Sequence, residues 1–81
     1  MTKTPIKFEP LPPRTWLYGY TATVGQLTVE VYRAEAGAWD VHETFRRYVG
    51  GTYERHEMRA QRLPYGAAMK LAREILRAGP A

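Results

Sequence analysis

Apolar residues recur along this chain with two different periods, and the period changes near Leu63. From Trp16 onward it is two: Trp16, Tyr18, Tyr20, Ala22 and Val24 share one side, Gly25-Gln26 interrupts, and Leu27, Val29 and Val31 resume. Such alternation marks strands with one buried face, and Gly25 supplies the positive φ of a two-residue hairpin turn. The stretch AEAGA (34–38) breaks the pattern. Trp39, Val41, Phe45 and Val49 then continue it, and Gly50-Gly51 reads as a second tight turn.

Beyond Leu63 the period becomes 3.6. In PYGAAMKLAREILRAG, the residues Ala68, Leu71, Ala72, Ile75 and Leu76 form one stripe, Pro64 fits a first helical turn, and Gly79-Pro80 ends the helix after Arg77. A one-faced sheet and one amphipathic helix must cover each other. The pattern therefore predicts an α+β fold: an antiparallel four-stranded meander (ββββ) with one C-terminal helix packed on one face, in two layers. This domain is expected over residues 16–79. Residues 1–15 hold four of the six prolines and are expected to run as an extended N-terminal arm, since proline fixes φ and removes donors.

A two-residue turn at Gly50-Gly51 sets a register. Val49 would pair with Thr52, Tyr48 with Tyr53, Arg47 with Glu54, Arg46 with Arg55, Phe45 with His56, His42 with Arg59 and Val41 with Ala60. Trp39, Val41, Phe45, Met58 and Ala60 would then meet the helix. The outer face would carry His42, Arg46, Tyr48, Tyr53, Arg55 and Arg59 and no aliphatic residue.

Composition and charge narrow the functional classes. At 81 residues, 44% hydrophobic and 25% charged, the chain has room for one small domain. Without cysteine it has no disulfides or thiolate metal sites, so a reducing, cytoplasmic setting is expected. No stretch approaches the roughly 20 apolar residues of a membrane span, so no membrane partner is expected. The net charge of +4 and pI near 9.7 favour acidic partners. That charge is concentrated in Lys3, Lys7 and Arg14 of the arm, in the arginines between residues 41 and 63, and in the helix.

The candidate site follows from that register. Arg46 opposite Arg55, with His42 beside Arg59, places like charges together, which destabilises a sheet unless an anion relieves it. Guanidinium groups grip phosphate or carboxylate, and Tyr48 and Tyr53 beside them stack on bases or fill a partner's pocket. The reading is a small non-enzymatic binding module for nucleic acid, DNA ahead of RNA. Arg46, Tyr48, Tyr53, Arg55, Arg59 and His42 make the contact, and Lys3, Lys7 and Arg14 follow the backbone. The alternative is a small adaptor or inhibitor that engages an acidic surface of a nucleic-acid-handling protein complex. Unpaired strand edges also offer a route to a homodimer.

Enzymatic and metal chemistry find little support. His42 and His56 fall on opposite faces, the chain has one aspartate, and no carboxylates pair across a cleft. YVGGTY lacks the Lys-Ser/Thr continuation of a phosphate loop. No cofactor, metal or small-molecule substrate is expected. The order of strands then helix over roughly residues 27–78 resembles the three-stranded DNA-binding domains of AP2-type regulators and integrase arm-binding domains. The likeness is architectural and carries no diagnostic motif. Where those domains join sheet to helix with a Thr or Ser cap and an acidic first turn, this chain has RLPYGAAMK.

Overall fold

A computed structural model of the chain describes residues 6–11, 18–47 and 50–79. Its elements are β1 (Glu9–Pro10), β2 (Gly19–Val24), β3 (Leu27–Glu35), β4 (Ala38–Arg47), β5 (Tyr53–Leu63) and α1 (Tyr65–Ala78). Each strand pairs antiparallel with the next, so the order across the sheet is the order along the chain. The architecture is the α+β meander with a C-terminal helix that the periodicity predicts. The strand count is five and not four.

The extra strand comes from the expected arm. Glu9 pairs with Thr21 and Pro10 with Tyr20, and the Leu11 N–H donates to the Gly19 carbonyl at 3.0 Å. A proline is tolerated there because β1 is an edge strand and needs no donor from Pro10. Of the residues singled out from the sequence, Lys3, Arg14, Trp16, Tyr48, Val49 and Pro80 lie outside the described residues.

Three strands and the helix make the core. Leu27, Val29, Val31 and Val41 are fully buried, with Ala22 and Trp39 beside them. From α1 come Ala68, Met69, Ala72, Ile75 and Leu76, so Met69 fills a place in the stripe that was assigned to the half-buried Leu71. Ala68 and Ala72 have no exposed surface, and their small side chains let the helix lie close to β3 and β4. Pro64 is the residue before the first turn, not part of it, and Gly79 closes the helix at φ 78° with its N–H bonded to the Ile75 carbonyl.

The first hairpin follows the expected register: Val24 pairs with Leu27 and Gly25 sits at φ 63°. The AEAGA break is itself a tight turn, with Glu35 paired to Ala38 around Ala36 and Gly37. The β4–β5 hairpin departs from expectation. Arg47 pairs with Tyr53, so residues 48–52 form the connection, and every pair from Arg47 back to His42 is shifted by one: Arg46 with Glu54, Phe45 with Arg55, Thr44 with His56, Glu43 with Glu57 and His42 with Met58. Farther from the turn, Val41 meets Ala60 as expected, because β5 gains one residue at Arg59. A second gain lies between Ala60 and Leu63, the latter pairing with Trp39.

The adopted register has a different set of cross-strand charges, in which Glu43 stands opposite Glu57 but is compensated by Arg55 and Arg59. The tight turn would set Arg46 against Arg55, whereas the shifted pairing sets Arg46 against Glu54 and brings Arg55 within reach of Glu43. The second bulge has its own anchor: Arg62 adopts φ 60°, and its freed N–H donates to the buried carboxylate of Asp40 at 3.0 Å.

Candidate nucleic-acid interface

A slip of one residue moves each side chain to the opposite face. Arg55, expected beside Arg46 on the outer face, lies with Phe45 on the helix-bearing side. Met58 moves the other way and stands 41% exposed opposite His42. Arg59, in the bulge, reaches Glu43 on the helix-bearing side and not His42. The six outer-face candidates are therefore not one cluster: Arg46 and His42 remain there, Tyr53, Arg55 and Arg59 are gathered on the other side, and Tyr48 lies outside the described residues.

The outer face is compensated. Arg46 Nη2 donates to Glu54 Oε1 at 3.0 Å, and the same carboxylate oxygen lies 2.8 Å from His56 Nε2. Arg46 in particular holds the Glu54 carboxyl below the 4.5 of an ordinary glutamate, and His56 adds to this. Thr44 Oγ1 lies 3.1 Å from His56 Nδ1, and the Tyr32 hydroxyl is hydrogen-bonded to His42 Nε2. Burial raises the Tyr32 phenol above 10.0, and Asp40 and Glu30 push it further. A shallow depression of about 390 Å³ crosses this face, lined largely by Thr23, Thr28, Glu30, Thr44, Arg46 and His56. In formal charge the face opposes Lys7 and Arg46 to Glu9, Glu30, Asp40 and Glu54. It is acidic.

The helix-bearing side has the reverse balance. The sheet contributes Arg33, Arg47, Arg55 and Arg59, the exposed surface of α1 contributes Lys70, Arg73 and Arg77, and against them stand Glu43, Glu57 and Glu74. At the hairpin end, α1 leaves part of the sheet open. There the Phe45 and Tyr53 rings meet edge to face at 6.4 Å, the Arg47 guanidinium stands 5.5 Å from the Tyr53 ring, and that of Arg55 stands 5.7 Å from the Phe45 ring. Cations over ring faces are attracted by the ring quadrupole.

Beneath this cluster lies a residue that the sequence reading did not single out. Glu43 has a side chain only 3% exposed and accepts from Arg55 Nη2 at 3.4 Å and from Arg59 Nη1 at 2.5 Å. One buried carboxylate thus fixes two arginines in a row along β5. A signal was present in the sequence: Trp39, Val41, Glu43 and Phe45 occupy the same face of β4, so an acid sits where alternation demands an apolar residue. Arg47, expected to pair with Glu54, stands opposite Tyr53 instead, and its exposed guanidinium pairs with no carboxylate among the described residues.

A second aromatic group closes the opposite end of the sheet. Trp39 lies 4.9 Å from Tyr65, 6.1 Å from Tyr18 and 6.5 Å from Tyr20, ring centre to ring centre. Arg33 stands 5.1 Å over Tyr18. Tyr18 and Tyr65 are 58% and 45% exposed. The hydrogen bond with Tyr18 is the main cause raising the Tyr20 phenol above 10.0.

Among the described residues no three His, Asp or Glu side chains converge as a metal site, and no helix is long and apolar enough to cross a membrane. The chain matches no protein-family model, no curated protein and no solved structure.

Proposed function

We propose that this chain is a small non-enzymatic module that binds nucleic acid, DNA in the first instance, through the helix-bearing side of the β4–β5 hairpin. The observation that carries this reading is the partition of charge: cations of β4, β5 and α1 gather on one side of the sheet, and carboxylates dominate the other. A polyanion is drawn to the first side and repelled by the second. In this reading Arg47, Arg55 and Arg59 take the phosphates, two of them held in place by Glu43. This reverses the geometry of the AP2-type likeness, in which the open face of the sheet enters the groove.

The test is a fluorescence anisotropy titration with a labelled duplex and a labelled single strand at about 50 mM and about 200 mM salt. Binding at the lower concentration that weakens about tenfold or more at the higher is expected for several phosphate contacts. Arg47→Glu should weaken it further, while Arg46→Gln on the acidic face should leave it unchanged. Absence of binding to both probes at the lower salt would overturn the proposal.

A second reading, a protein-binding adaptor, is favoured by the other end of the sheet. Tyr, Trp and Arg are the residues that dominate protein interfaces energetically, and Tyr18, Trp39, Tyr65 and Arg33 form one partly exposed group. Under this reading Tyr18→Ala with Tyr65→Ala abolishes capture of a protein partner and leaves nucleic-acid binding intact. Capture undiminished in that double variant would remove this end as the contact.

A further inference from the structure

We infer that the nucleic acid this surface takes is single-stranded, with an unpaired base stacked at Tyr53; the inference rests on the proposed nucleic-acid function and names its substrate class. The planes available at the hairpin end carry it. Tyr53 is 48% exposed, the guanidinium of Arg47 stands over its ring, Phe45 abuts it edge to face, and the Arg55 guanidinium covers Phe45. Two rings thus lie between two guanidiniums, in the order Arg47, Tyr53, Phe45, Arg55.

Such planes match the face of a nucleobase, and every base has one, so the contact is indifferent to sequence. In a duplex the base faces are covered by their neighbours in the stack, and only edges and phosphates remain accessible. A duplex could use the charges of this cluster and none of its rings. An unpaired strand uses both, the base on Tyr53 and the phosphates on Arg47, Arg55 and Arg59.

Rigidity favours the same substrate. The two guanidiniums farther along β5 are tied to the buried Glu43, so little side-chain entropy remains to be lost when a strand settles beside them. The Arg55 Nε is buried without a partner, and its Nη2 reaches the buried Glu43. One or two nucleotides is the scale of the site, since the ladder contains two rings.

Anisotropy titrations with labelled oligothymidine and oligouridine of about 12 nucleotides and a mixed-sequence duplex of the same length test this, with Tyr53→Phe and Tyr53→Leu beside the wild type. A single strand should bind about tenfold or more tightly than the duplex, Tyr53→Phe should retain that affinity, and Tyr53→Leu should lose most of it while duplex binding stays unchanged. Circular dichroism melting establishes that both variants are folded, which their exposed position at the strand end favours. Either polymer bound in this way supports stacking, and their ratio assigns the sugar. Equal affinity for single strand and duplex, or full affinity in Tyr53→Leu, overturns the inference and leaves nucleic-acid binding standing. No binding to any probe overturns both.

Discussion

Glu43 occupies an inward position of β4 between Val41 and Phe45, and burying a lone carboxylate there would cost several kcal/mol. Arg55 and Arg59 offset that cost by closing on it from the neighbouring strand. Glu43→Ala should therefore lower stability in urea titration by about 2 kcal/mol, and Glu43→Leu by much less, because a packed apolar side chain needs no counter-ion. Equal losses would mean that the ion pairs of Glu43 with Arg55 and Arg59, and not the volume it fills, carry its contribution. Asp40 has a different task, satisfying the N–H that the bulge frees at Arg62. Titratable groups on the outer face give a pH dependence with two signs. Glu54 is held below 4.5 in the folded chain, so its contribution is present above that pH and is lost as pH falls through the folded value. Tyr32 is raised above 10.0, so its contribution is complete below that pH and is lost as pH rises through the folded value. Melting temperatures of Glu54→Gln should match the wild type in strong acid and fall below it near neutrality. Tyr32→Phe should remove part of the alkaline loss.

At the scale of the elements, the second hairpin is governed by its bulges and by the length of its connection. Arg62 stands at φ 60°, where a side chain is strained by roughly 1–2 kcal/mol relative to glycine. Arg62→Gly should raise the urea midpoint, since the ion pair it sacrifices with Glu35 is exposed and contributes little. A fall in the midpoint would show that this pair matters more than the strain. Gly19 in β2 is the opposite case. A Cβ there would sit 2.1 Å from the Val31 carbonyl oxygen and 2.6 Å from the Tyr32 Cα, both backbone atoms of the adjacent strand. Gly19→Ala should destabilise by about 1–3 kcal/mol, the usual cost of overpacking, and loosen the β2–β3 ladder in amide exchange.

At the scale of the whole molecule, the decisive property is which side of the sheet carries which charge. An NMR titration with a short single strand should move amide signals of Arg47, Tyr53, Arg55 and Arg59 and leave Thr21, Thr28 and Thr44 unmoved, and the reverse map would place the ligand on the acidic face. Much of this molecule was legible beforehand. Alternation gave β2, β3 and β4, the 3.6 period gave α1, and Gly25 gave the first turn, because each depends on residues close together in the chain. The faces of β5 were not legible, since they depend on how many residues the connection at 48–52 contains and on an added residue at Arg59, neither of which the alternation encodes. Glu43 was overlooked for a related reason: its partners are 12 and 16 residues away, and only the shifted register brings them to it.

By itself, then, the sequence determined four of the five strands, the helix and most of the apolar side chains that leave water, because burial of apolar surface acts on local periodicity. The tertiary structure alone decided on which side of the sheet each arginine of β5 emerges. A strand repeats every two residues, so one residue more or less reverses its faces, and the register is settled by the connection, the bulges and the contacts between strands, none of which the local pattern contains.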